Sequence, residues 1–222
     1  MPGVLLQILL APIAAAAINY TIRRVPGHSV GWIATGTLLY TTALVVWVGV
    51  AVSRGDVVTE EYWLIAPDIR FGLLADGLSL PTLAVVLLLC AALSMYSIRY
   101  IEHRVETIYG DLPADVQTRY YSRFFYLLPF FPVGFIGTIL STNLVTLYFF
   151  LEVLTVALFF LMAFFGYRER VRVAFISLSW GIIGALLFLV AALIVYSEIG
   201  SLEIVDLHEM AGTPLVTGAI VL

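Results

Sequence analysis

A chain of 222 residues that is 62% hydrophobic and only 12% charged, with a formal net charge of −4, is far too apolar for a soluble globular domain. One cysteine, three scattered histidines and no lysine leave no disulfide framework and no metal-ligand spacing, so neither a metal nor a cofactor is expected. The composition is that of an all-α polytopic membrane protein.

A helix needs roughly 20 apolar residues to cross a hydrocarbon core. Runs of that kind cover 4–22, 29–52, 80–98, 124–140, 144–165 and 173–196, so six spans are expected. The basic pair Arg23 and Arg24 follows the first run instead of preceding it, which reads as a retained helix and not as a secretory signal. Between the second and third spans, Tyr62 to Ala66 and Ile69 to Leu74 are rich in aromatic and branched residues around Pro67–Asp68, the pattern of a short external β-hairpin. Asp76 and Ser79 then stand ahead of Pro81, placed to cap the third helix. The stretch 102–123 is polar and ends in RYYSRFFY, whose arginines and tyrosines suit a bilayer interface; this explains them with fewer assumptions than nucleic-acid binding does. In the fourth span Pro129 and Pro132 remove two backbone donors within a turn, so a kink is expected there, and Pro12 is expected to act similarly in the first. Such breaks are tolerated inside a membrane only where protein or water receives the freed carbonyls. After Pro214, LVTGAIVL reads as the start of a seventh helix.

Charge sets the orientation. Arg23, Arg24, Arg99, Arg104, Arg119, Arg123, Arg168, Arg170 and Arg172 fall on one side, and of the 11 basic residues only Arg54 and Arg70 fall on the other. The first side is expected to be cytoplasmic and the N-terminus external, in a multi-pass protein of the plasma membrane. The whole chain, 1–222, reads as a single transmembrane domain.

One residue breaks the pattern. Glu152 stands alone in NLVTLYFFLEVLTVALFFLMAFF, with no other charge between Arg123 and Arg168. At about 1.5 Å per residue it lies about 12 Å into its span, near the middle of the hydrocarbon. A charge there costs on the order of 3 kcal/mol, so the carboxyl must hold a proton, meet a cation or face trapped water. A group balanced between those states suits a proton relay. The plainer reading is a permanently protonated glutamate bonded to a hydroxyl such as Thr138, Thr155, Ser177 or Ser179. Within the spans no cation offers itself; Arg172, at the mouth of the sixth, is the nearest candidate, although an arginine at such a place is more often a topology determinant than a relay partner.

The runs FGLLADGLSL, YFFLEVLTVALFFL and RVRVAFISLSWGIIGALLFLVAALIVYSEIGSL resemble the antiporter-like subunits of respiratory complex I, Mrp-type sodium/proton antiporters and membrane-bound hydrogenases. The resemblance implies a proton- or sodium-translocating subunit of a redox-driven, NADH:quinone oxidoreductase-like or hydrogenase-like complex, with Glu152 at the position of an essential protonatable glutamate. It also implies a lysine in a broken seventh helix, which this lysine-free chain lacks. The match covers the N-terminal part of such a subunit, so the partners implied are other membrane subunits, among them a chain carrying lysine-bearing helices. The alternative is a truncated, non-pumping scaffold of such a complex. A free-standing membrane enzyme finds no nucleophile–base pair and no phosphate-binding glycine loop to support it.

Overall fold

The computed structural model describes residues 3–25, 27–53, 55, 57–66 and 69–210. Helices α1 (Val4–Thr21) and α2 (Ser29–Val52) are followed by strands β1 (Val58–Ala66) and β2 (Ile69–Ala75). Then come α3 (Ser79–Tyr109), α4 (Ala114–Leu127), α5 (Phe130–Leu140), α6 (Leu144–Phe165), α7 (Arg170–Ile199) and a 3₁₀ turn, Ile204–Met210. Helices α4 and α5 form one crossing, Ala114–Leu140, giving six helices among the described residues long and apolar enough to span a membrane. The expected six spans and the antiparallel hairpin between the second and third are present. The expected Pro67–Asp68 turn and the start of a seventh helix at 215–222 lie outside the described residues.

The polar flanks depart from the sequence reading. Helix α3 runs on to Tyr109, and the fourth crossing begins at Ala114, ten residues before its apolar run at 124. An i,i+4 pair, Arg119 Nη2 to Asp115 Oδ2 at 3.4 Å, lies on the exposed side of this added stretch.

The crossing of α4 and α5 is interrupted at Leu128–Pro129. Pro129 cannot donate to the carbonyl of Phe125, four residues back. That carbonyl instead accepts from the Asn19 side-chain amide of α1 at 3.0 Å, and the same amide donates to the Val30 carbonyl of α2 at 3.0 Å. Protein thus satisfies the carbonyl that proline leaves free, as an apolar surround demands. Asn19 is fully buried where these three helices meet. At Pro12, by contrast, α1 continues as one helix from Val4 to Thr21, so the break expected there does not interrupt it.

Two large buried clusters hold the ends of the bundle, with a smaller one of Leu38, Cys90 and Ala91 between α2 and α3. Leu5, Ile8, Leu73, Leu83, Ile136 and Leu140 fill the hairpin end. Val30, Ala34, Ile101, Phe124, Phe125 and Phe165 fill the opposite end. The hairpin ties its end together through hydrogen bonds. The Glu60 carboxylate accepts from the first-turn amides of Leu5 and Leu6, each at 3.1 Å, and from the Tyr62 hydroxyl, giving the positive end of α1 an anionic partner. Burial first, and then the hydrogen bond and charge of Glu60, hold the Tyr62 phenol above its ordinary range, so it remains a donor. The Asn143 amide reaches the Arg70 carbonyl at 2.6 Å, while its oxygen accepts from Thr146 N at 2.9 Å and caps α6. Leu144 N donates to the Leu202 carbonyl at 2.9 Å, which joins the residues after α7 to the same end.

Asp76 Oδ1 accepts from the Leu78 and Ser79 amides at 3.0 and 2.7 Å ahead of α3. The bond from the Ser79 backbone, more than any other cause, holds this carboxyl below its ordinary range. A depressed carboxyl contributes stability above its unfolded-state value and loses it as pH falls through the folded-state value. Exchange protection of the Leu78 and Ser79 amides is therefore expected to hold from neutrality down through the usual carboxylate range and to fail only in stronger acid. Hydrogen exchange followed against pH checks this, and loss of protection already near the ordinary carboxyl value contradicts it.

Burial is uneven. Between 33% and 56% of the apolar window lies inside the molecule in the first four crossings, against 22% for α6 and 11% for α7. Most of the surface of these two helices therefore faces lipid or other membrane polypeptides.

Candidate functional site

Helix α6 is held on two sides by close contacts at small residues. Toward α5, Phe150 and Leu154 press on Gly137 and Gly134 so tightly that a Cβ at Gly137 would lie 2.0 Å from the Phe150 ring. Toward α7, Tyr148 stacks on Phe188 with ring centroids 6.4 Å apart, and Thr155 fills the space beside Gly181. Glycines at these crossings let the backbones approach, the usual device where lipid supplies no hydrophobic drive for helix association.

Glu152 lies one turn from both Tyr148 and Thr155, at the edge of the face that α6 turns toward α7. It is half-buried and lines an open groove of about 430 Å³. Phe149, Val153, Val156 and Phe160 of α6 form one wall. Leu127 and Phe130, on either side of the α4–α5 interruption, form the other. Pro129 sits in that interruption and Pro132 in the first turn of α5, so the proline break lies across the groove from the carboxyl group. Tyr148, one turn earlier on α6, is a polar neighbour of Glu152 on the same side of the helix. Spacing of four residues on a helix brings the two side chains together.

The remaining candidates lie elsewhere. Arg172 pairs with Glu169, Nη1 to Oε2 at 3.0 Å, and both side chains are exposed at the start of α7. Thirteen residues of α6 separate Glu152 from Phe165, or about 20 Å along the helix axis, so the structure does not bring Arg172 to Glu152. Among the described residues no cation forms an ion pair with Glu152. Of the hydroxyls considered as its partners, Thr155 donates to the Leu151 carbonyl and Ser179 to the Phe175 carbonyl. The Thr138 hydroxyl is buried without a partner. Asp76 and Ser79 sit at the hairpin end, in the turn that leads into α3.

Three polar groups central to this architecture escaped the sequence reading. Tyr148 was legible in principle from its spacing to Glu152. Asn19 was the one amide side chain inside an otherwise aliphatic stretch, AAAAIN, and polar residues within spans are rare enough to mark a contact. Glu60 carried a weaker signal: alternation along β1 puts it on the same face as Tyr62.

Comparison with known proteins adds three findings. The family model described as "NADH:quinone oxidoreductase/Mrp antiporter, TM" matches residues 141–222, a segment that contains α6 and α7. Two curated proteins of Staphylococcus aureus are similar in sequence. "Putative antiporter subunit mnhA2" (strain JH9) is 28% identical over 154 residues, 69% of this chain and 18% of its own length. "Putative antiporter subunit mnhD2" (strain MRSA252) is 28% identical over 170 residues, 76% of this chain and 31% of its own length. The chain thus spans less than a third of either relative. Among solved structures, a chain of the membrane-bound sulfane sulfur reductase, an archaeal respiratory membrane complex, superposes with a TM-score of 0.71 at 18% identity. The superposition covers 96% of this chain and 41% of that one, and at this identity it speaks for the fold alone.

Proposed function

We propose, on the premise that this chain is a membrane-embedded relative of the antiporter-like subunits of Mrp and complex I-like complexes, that it contributes one protonatable carboxyl, Glu152, to a proton- or sodium-translocating complex driven by redox chemistry in other subunits. The observation that carries this reading is the groove. A carboxyl near mid-membrane, half-buried beside Tyr148 and opposite a proline-broken helix, lies open on one side to whatever polypeptide covers α6 and α7. Protonated, it is tolerated by its apolar neighbours; ionised, it needs a cation from outside this chain. The chain, in this reading, corresponds to the N-terminal part of the antiporter-like fold, and a membrane subunit with lysine-bearing helices supplies that cation. In this reading the protein lies in the plasma membrane, with the hairpin end external and the arginine-rich end cytoplasmic.

One observation favours a second reading, a scaffold that moves no ions. Apart from Glu152, the named walls of the groove are aliphatic and aromatic side chains. An apolar carbodiimide, which reacts with protonated carboxyls in lipid-like surroundings, separates the two. In the assembled complex it is expected to modify Glu152 at low pH, more slowly as pH rises, and to stop ion translocation in proportion to the modified fraction. Stoichiometric modification with undiminished translocation supports the scaffold and removes the relay.

A further inference from the structure

At the arginine-rich end, the turn between α6 and α7 and the cytoplasmic stretch of α3 enclose an open depression of about 540 Å³. Arg104, Arg168, Arg170 and Arg172 line it with Tyr167 and Glu169. Four guanidinium groups there meet one carboxylate. Two of the arginines are held in place. Arg104 donates from Nε to the Phe165 carbonyl at 3.1 Å and lies 4.0 Å over the Tyr167 ring, while Arg170 stands 5.5 Å from the Tyr109 ring. The other two are exposed: Arg172 shares itself with Glu169 at 3.0 Å, and Arg168 makes no ion pair or hydrogen bond among the described residues. The floor is therefore rigid and its rim carries positive charge that the chain does not neutralise.

The level of this depression matters as much as its charge. It lies where α6 ends at Phe165 and α7 begins at Arg170, the depth at which apolar spans give way to headgroups. An aromatic band continues from it. Tyr109 stacks on Tyr120 at 3.8 Å, and Arg123 lies 4.8 Å over Tyr120 and 4.7 Å over Phe164. Tyrosine and arginine at this height are the residues that meet phosphates. A guanidinium offers two parallel N–H donors to two phosphate oxygens, geometry that an ammonium does not match.

We propose that this depression is a phosphate-binding site, filled by the headgroup of an anionic phospholipid, with free inorganic phosphate as the other source of the same chemistry. Arg104 and Arg170 shape the floor, and Arg168 and Arg172 grip the phosphate oxygens. The assignment stands apart from the role of Glu152, which lies about 20 Å away along α6.

Native mass spectrometry of the purified chain, titrated with phosphatidylglycerol and separately with phosphatidylcholine, tests it. Phosphatidylglycerol is expected to bind the more tightly, and each arginine removed is expected to weaken it about fivefold, so that Arg168→Gln with Arg172→Gln acts well beyond either alone. Arg119→Gln, which removes an arginine at the same end but outside the depression, is the control and leaves binding as it was. Inorganic phosphate identifies the source: if it displaces the lipid and binds by itself in an arginine-dependent way, free phosphate is the occupant, and if it does not compete, the lipid is. Either result supports a phosphate site. Equal affinity for both lipids, affinities unchanged in the double variant, or an equal loss in the Arg119 control overturns it. Should the double variant fail to fold, Arg168→Gln alone decides the matter, because Arg168 is exposed and unpaired among the described residues.

Discussion

Glu152→Gln is expected to lower ion translocation by the assembled complex roughly 100-fold, the scale on which a positioned proton-transfer group contributes. Glutamine keeps the length and most of the volume of glutamate, and its amide oxygen can still accept a hydrogen bond. What it lacks is the exchangeable acidic proton. The groove around the residue is lined by Leu127, Phe130, Phe149, Val153, Val156 and Phe160, which are indifferent to the exchange. Assembly is therefore expected to persist on a native gel while translocation, measured by a pH-sensitive dye in proteoliposomes, collapses. Because a neutral amide removes the burden of holding a carboxylate in a membrane, thermal stability is expected to stay level or rise. Translocation at the wild-type rate removes the relay. If assembly and translocation fall together, Glu152 acts through structure and the scaffold reading gains.

The crossings were legible because the bilayer imposes a length and a composition on each one separately, and a run such as 29–52 carries that information without reference to any other segment. The interruption at Pro129 was legible for the same local reason: a missing N–H is a property of the residue itself. Contacts between distant segments were not. Asn19 meets the Phe125 carbonyl across 106 residues, and Glu60 meets Leu5 across 55, and no periodicity within either segment encodes the encounter. The depth of Glu152 could be counted along its helix, but the side of α6 on which it opens depends on which faces Gly134, Gly137 and Gly181 bring into contact. Arg172 shows the same limit from the other direction. Its type and its place near a span end made it a reasonable partner for a buried acid, and only the fold shows that Glu169, three residues away, already holds it.

Asn19→Leu is expected to destabilise the bundle on the order of 3 kcal/mol, more than a typical core exchange of similar size. Leucine keeps the branched outline of asparagine but its methyl groups are bulkier, so some overpacking adds to the cost. The larger part of the loss is polar. Two carbonyls, Phe125 and Val30, accept from the same amide at 3.0 Å, and the proline at 129 denies Phe125 its ordinary helical donor. Left bare in a buried site, the Phe125 carbonyl costs about 1–3 kcal/mol, whereas Val30, inside α2, keeps its helical donor and loses only a second bond. The gain from removing the buried, unpartnered Asn19 Oδ1 offsets only part of that. Asn19→Asp fares worse, since it keeps the shape, removes the donor and sets a carboxylate against two carbonyl oxygens. Asn19→Gln keeps the amide but adds a methylene where no space is open, and is the mildest of the three. Thermal unfolding in a fixed detergent ranks the three as Gln, Leu, Asp in order of increasing damage. A second measurement tests the cause: replacing Pro129 with alanine restores an N–H to Phe125, and in that background Asn19→Leu is expected to cost less. Equal cost with and without Pro129 means that the asparagine matters for packing and not for the carbonyl that the proline leaves free.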